Sequence, residues 1–224
     1  MSFARKKWRW ENSAVLTPQE WSLKWWLYSI AVITCTLASC TSITRTTALP
    51  SPAIIRVAQW GGTTANEALA RRHTISRITL HHQGEAFPRG KDPQQYLRNL
   101  QSWSRNTMGW IDVPYHYAID LDGKIYAGRE IEFAGDTNTE YDPAGHALIE
   151  VVGNFENVEP NAAQLAAVVD LMAMLAARYR VPVEQIRGHR DYVSSTLCPG
   201  RNLYAYLQNG YFRKEVTKKL HPAM

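Results

Sequence analysis

Strands alternating with helices along the chain predict an α/β fold: a single domain with a mixed central β-sheet flanked by helices. Three observations carry this expectation. Four short segments read as strands, two of them mixing β-branched and aromatic residues, and two longer segments repeat apolar residues at helical spacing. The composition is that of an ordinary globular protein, with 45% hydrophobic and 20% charged residues among 224. That excludes a disordered chain, a collagen-like repeat and a disulfide-rich miniprotein. A domain of about 170 residues also buries roughly 70% of its unfolded surface without help from disulfides.

The first forty residues stand apart. Five of the eight Trp fall within residues 8–26, beside the basic cluster Arg5-Lys6-Lys7-Trp8-Arg9-Trp10. Residues 1–39 carry a net +3 of the chain's +5, which leaves the remainder close to neutral. No broad basic footprint for nucleic acid remains. Trp25 to Ser39 holds no charge and is shorter than the ~20 apolar residues of a spanning helix. It reads as the core of a secretion signal, so residues 1–39 are expected to be a signal peptide. Its end, Leu37-Ala38-Ser39-Cys40, resembles the lipobox of bacterial lipoproteins, cut before Cys40 and lipidated there; an uncleaved anchor helix is the alternative. Thr41 after the Cys resembles the outer-membrane pattern. The expected location is therefore the bacterial cell envelope, lipid-anchored to the outer membrane and facing the periplasm. Cys198 would then be the one thiol left unmodified, so no disulfide forms within the mature chain.

Residues 40–54 are Ser/Thr/Pro-rich, a tether from membrane to a domain at 55–215. Ile75–Leu80 reads as the first strand. Asp92 caps a helix with Pro93 in its first turn and Tyr96, Leu97, Leu100 and Trp103 on one face. Tyr115–Leu121 and Lys124–Ala127 form a hairpin across Asp122-Gly123. Ala147–Val152 is an apolar strand interrupted by Glu150. The last helix runs from about Asn161 to Arg180, with Leu165, Val168, Val169, Met172 and Leu175 at helical spacing.

Chemistry concentrates at His81-His82, at Tyr115-His116, and at His189 with Cys198-Pro199-Gly200. Imidazole and thiolate are preferred zinc ligands, and two His with one Cys leave a fourth position open, as in catalytic sites. Spacing alone leaves open a blander reading of core histidines and a buried Cys. Glu150 lies in an otherwise apolar strand, where an unpaired charge is costly to bury; it reaches a cleft or has a partner.

In order, the chain contains Ile78-Thr79-Leu80-His81-His82, Val113-Pro114-Tyr115-His116-Tyr117, Asp122-Gly123, Val152-Gly153-Asn154-Phe155, and Gly188-His189-Arg190-Asp191 followed by Thr196-Leu197-Cys198-Pro199-Gly200. Together they resemble the N-acetylmuramoyl-L-alanine amidase family, which includes phage T7-type lysozyme-amidases and peptidoglycan recognition proteins. The likeness covers roughly residues 55–210. It implies one Zn2+ held by His81, His189 and Cys198, with Tyr115 and Thr196 steadying a tetrahedral intermediate. His82 is then a packing or cleft residue, and His73, His116, His146 and His221 are packing or surface residues. Some cytoplasmic muropeptide amidases carry a catalytic Glu at the point matching Glu150, which implies a general base here; a structural ion pair is the alternative.

The implied function is zinc-dependent hydrolysis of the amide joining N-acetylmuramoyl to L-alanine in peptidoglycan or muropeptides. The expected enzyme is a monomer, with its membrane contact made through the lipid. Two rivals are a peptidoglycan-binding module without activity, in which Ser typically replaces the Cys ligand, and a zinc peptidase acting within the stem peptide.

Overall fold

The computed structural model describes residues 51–222. The expected signal peptide, Cys40 and most of the tether lie outside the described residues. Six strands form one sheet: β1 (Ile54–Ile55), β2 (Arg77–His82), β3 (Tyr117–Ile119), β4 (Ile125–Ala127), β5 (His146–Val151) and β6 (Ile186–Gly188). Their order is β1-β4-β3-β5-β2-β6, and only β3 and β4 pair antiparallel. The mixed sheet follows from the chain: a tight turn joins β3 to β4, whereas parallel neighbours need longer crossovers. Gly123 makes that turn at φ +77°, and a Cβ there would lie 2.6 Å from the Ala163 carbonyl oxygen.

Side-chain alternation gives the sheet two unlike faces. Ile78 and Leu80 of β2 and Ala147, Ile149 and Val151 of β5 belong to the main core. That core is covered by α2 (Ala162–Tyr179), α3 (Arg201–Gln208) and α4 (Tyr211–Leu220). α2 starts with a reciprocal cap, in which Asn161 Oδ1 accepts the Gln164 amide and Gln164 Oε1 accepts the Asn161 amide. Its Val168, Val169, Leu171, Met172 and Leu175 are buried, close to the spacing expected. α4 carries the fold to Leu220, past the expected end at 215, because Phe212 and Val216 are fully buried in the core.

On the opposite face α1 (Pro93–Asn106), capped by Asp92, packs Leu97 with Trp60, Ala118 and Tyr126. The sequence places Tyr96, Leu97, Leu100 and Trp103 on one face of the helix, and the structure divides that stripe. Leu97 enters the core with Tyr96 packed against it, while Leu100 and Trp103, together with Tyr96, line a groove. The helix-facing polar residues that are buried instead are Gln101 and Ser104, Gln101 because its amide donates to Asp112 at 2.7 Å and to the Thr63 carbonyl at 2.8 Å.

The turn Cys198-Pro199-Gly200 is pressed between β2 and the segment after β5. Gly200 sits at φ +86°, and a Cβ there would lie 2.6 Å from the Phe155 carbonyl carbon and 2.9 Å from His82 Nδ1. Gly200→Ala is expected to destabilise the fold by more than about 1 kcal/mol, since both the backbone conformation and the space refuse a side chain. Denaturant unfolding of the variant against the unmutated chain checks this.

Candidate metal centre and active site

Strand pairing assembles the site. β2 and β5 run in register, so His81 is the direct neighbour of Glu150, and Leu80 pairs with Gly188 of β6, immediately before His189. Three chain-distant residues thus meet at the carboxyl ends of parallel strands, where open α/β sheets form their clefts. His81 shares the polar face with Thr79, Leu148 and Glu150. His82 points to the other face, where its Nδ1 accepts the Phe155 amide at 3.3 Å and its ring stacks on Phe155. The structure therefore separates the adjacent histidines into a site residue and a packing residue.

Ligand atoms of His81, His189 and Cys198 all lie within 4.8 Å of one another. Cys198 Sγ is 3.5 Å from His81 Nδ1 and accepts the His82 amide at 3.4 Å. The loop bearing His189 is tied down by Asp191, which accepts the Gly188 amide at 2.8 Å and the Tyr204 hydroxyl. Thr196 Oγ1 accepts the Cys198 amide at 3.2 Å, so this hydroxyl shapes the turn that presents the thiol. Two imidazoles and a thiol form a donor set suited to zinc, and three protein ligands leave a position open. The residues fit the metal.

Glu150 is fully buried beside this cluster. Its Oε1 accepts the Tyr96 hydroxyl at 2.7 Å, whereas Oε2 has no partner among the described residues. No ion pair involves Glu150 among the described residues, which leaves the structural ion pair without support. Burial raises its pKa to about 7, against the pull of the Tyr96 hydrogen bond. Tyr115 is also at the site, its ring centroid 5.2 Å from that of His81. Burial, then the Glu150 charge, holds its phenol well above the ordinary range, so it stays a hydrogen-bond donor. Glu150 and Tyr115 line a groove of about 480 Å3, whose walls also include Tyr96, Leu100, Trp103 and Trp110.

Of the other histidines, His116 is buried, with Nδ1 accepting the Leu148 amide and Nε2 against the Phe133 carbonyl. His146 is held by Thr79 and His73 by Ile131 and Gly145, while His221 is exposed. All four are packing or surface residues. The sequence gives no cue to Tyr96 as the partner of Glu150, nor to Thr139 and Tyr141, which contact His189 and His81 from the loop before β5. Only the helical stripe holding Tyr96 hinted at an interacting face.

Fold and site define a class: a mixed-sheet α/β protein whose two-His, one-Cys cluster adjoins a buried carboxylate at the head of a groove. The model of the N-acetylmuramoyl-L-alanine amidase family matches residues 71–201. Peptidoglycan recognition protein 1 of Mus musculus is 33% identical over 140 residues, spanning 61% of this chain and 76% of that protein. The structure of peptidoglycan recognition proteins LCa and LCx with tracheal cytotoxin bound superposes at a TM-score of 0.62, with 26% identity, covering 70% of this chain and 95% of that one. An endolysin N-acetylmuramoyl-L-alanine amidase of Clostridium intestinale shares the fold at a TM-score of 0.59, with 23% identity over 74% of this chain and 98% of that one. The chain belongs to the N-acetylmuramoyl-L-alanine amidase family.

Burial also fixes the protonation the ligands start from. The Cys198 thiol is pushed up to about 12, first by burial, against the His82 amide hydrogen bond. Burial lowers His189 to about 4 and His81 well below its usual range, so both imidazoles are neutral near pH 7. A metal binds thiolate, so uptake must expel the thiol proton. Zinc titration at pH 7 is expected to release at least one proton per ion, and to weaken as pH falls. Calorimetry in buffers of different ionisation enthalpy counts the protons. In Cys198→Ser, whose hydroxyl is a poor zinc ligand, zinc content and this release are expected to disappear together.

Proposed function

We propose that the chain hydrolyses the amide between the N-acetylmuramoyl lactyl group and L-alanine in peptidoglycan or its muropeptide fragments, with zinc as its one cofactor. The observation that carries the reading is the free Oε2 of buried Glu150 beside the His81–His189–Cys198 cluster. A bare binding surface has no use for a costly buried carboxylate oxygen without a partner.

Zinc at these ligands would polarise the scissile carbonyl and lower the pKa of water from 15.7 towards ~7. Glu150 takes a proton from the attacking water on Oε2 and returns it to the leaving amine, while Tyr96 holds Oε1 still. Burial alone sets this carboxyl near neutrality, and a nearby cation draws it back towards the ionised form that a base requires. Tyr115 donates a hydrogen bond to the oxygen on which charge develops. Thr196, whose oxygen already accepts the Cys198 amide, keeps its hydroxyl hydrogen for the same purpose. The groove walled by α1 receives the substrate beyond the scissile bond.

The second reading, a peptidoglycan-binding module without turnover, is favoured by the recognition proteins among the relatives. Product analysis on purified muropeptides, with and without chelator, separates the two. Release of a peptide with a new N-terminal alanine, abolished by chelator, supports the amidase. Binding without release supports the module, and cleavage within the stem peptide supports a peptidase.

Glu150→Gln is expected to keep its zinc and lose turnover by ~10²–10⁴-fold, the range of general acid–base groups. Rate measured at equal metal content checks this, and a rate within a few-fold of the unmutated chain removes Glu150 from the chemistry. For location, Leu37-Ala38-Ser39-Cys40 supports a lipid anchor that holds the enzyme at an envelope membrane beside its substrate. Fatty-acid labelling is expected in the unmutated chain and absent in Cys40→Ala; an unlabelled wild type ends the lipoprotein reading.

A further inference from the structure

The loop between β4 and β5 touches both histidines of the cluster at their Nε2 atoms. Thr139 Oγ1 lies 2.8 Å from Nε2 of His189. The same oxygen lies 2.8 Å from Thr137 Oγ1, which also accepts the Thr139 amide at 3.1 Å. Two residues on, the Tyr141 hydroxyl stands 3.4 Å from Nε2 of His81, and the Tyr141 ring leans on His189 at 4.9 Å between centroids. His81 Nδ1 faces Cys198 Sγ.

A neutral imidazole carries one N–H and one lone pair, and it binds metal through the lone pair. With Thr139 at Nε2 of His189, Nδ1 must be the unprotonated nitrogen for the residue to ligate. A hydroxyl by itself does not enforce that, since it can donate as readily as accept. Thr137 Oγ1 offers the Thr139 hydroxyl hydrogen an acceptor at 2.8 Å; with the hydrogen placed there, the lone pairs of Thr139 face His189 and draw the proton to Nε2.

We propose that residues 137–141 are the outer shell of the metal centre, with Thr139 the principal positioning residue and Tyr141 the second, fixing the tautomer and ring orientation of His189 and His81. The inference rests on the metal-centre reading above. Its consequence is that zinc affinity depends on a loop hydroxyl that never touches the ion.

The test is zinc affinity, measured by competition with a chromophoric chelator on the purified full chain and its variants. Thr139→Val keeps the shape and removes the acceptor, and is expected to weaken zinc by about 10- to 100-fold. Thr139→Ser restores the hydroxyl and is expected to hold zinc within about threefold of the unmutated chain, as rescue of an outer-shell hydrogen bond requires. Tyr141→Phe, removing the longer contact, is expected to lose less than Thr139→Val. The metal-free unfolding midpoints of the Val and Ser variants are expected to coincide, which separates positioning from a fold defect. Zinc bound by Thr139→Val as tightly as by the unmutated chain, or a Ser variant as weak as the Val variant, overturns the proposal while leaving the metal centre standing. An unmutated chain that takes up no zinc overturns both.

Discussion

The register between β2 and β5 is the constraint on which the rest of the site depends. Because the strands are parallel and His81 pairs with Glu150, a metal-type ligand and a carboxylate separated by 69 positions become immediate neighbours on one face. A slip of one residue would carry His81 and its neighbours to the opposite face and bring His82 to the groove. Three apolar β5 residues, Ala147, Ile149 and Val151, hold that register from the other side of the sheet by filling the core beneath α2. Core packing on one face thereby sets chemistry on the other.

The same burial shapes the electrostatics. It keeps the histidines neutral, the thiol protonated and the Glu150 carboxyl near neutrality, each by desolvating the charged form. A divalent cation placed among these groups would reverse the logic for the thiol and the carboxylate. Glu150 shows the effect of burial most directly: one oxygen is satisfied by Tyr96, and the other meets no donor among the described residues.

Loops complete what the strands begin. Gly200 lets the Cys198 turn press against Phe155, and Asp191 ties down the segment that carries His189. The loop before β5 supplies Thr139 and Tyr141 to the far edges of the histidine rings. Each of these contacts spans many residues of chain, and each restricts a side chain that would otherwise rotate.

Periodicity and turn chemistry in the sequence by themselves determined the two long helices, the Asp122-Gly123 hairpin and the mixed character of the sheet, because those depend on neighbours a few residues apart. Ordered motifs likewise made His81, His189, Cys198, Tyr115 and Glu150 the residues to watch. Tertiary structure alone decided the rest. It sent His82 to the packing face, joined the Tyr96 hydroxyl to Glu150, and brought Thr139 against His189. Those outcomes rest on strand register and loop closure between distant segments, and no local pattern of residue types encodes which side chain a distant segment will meet.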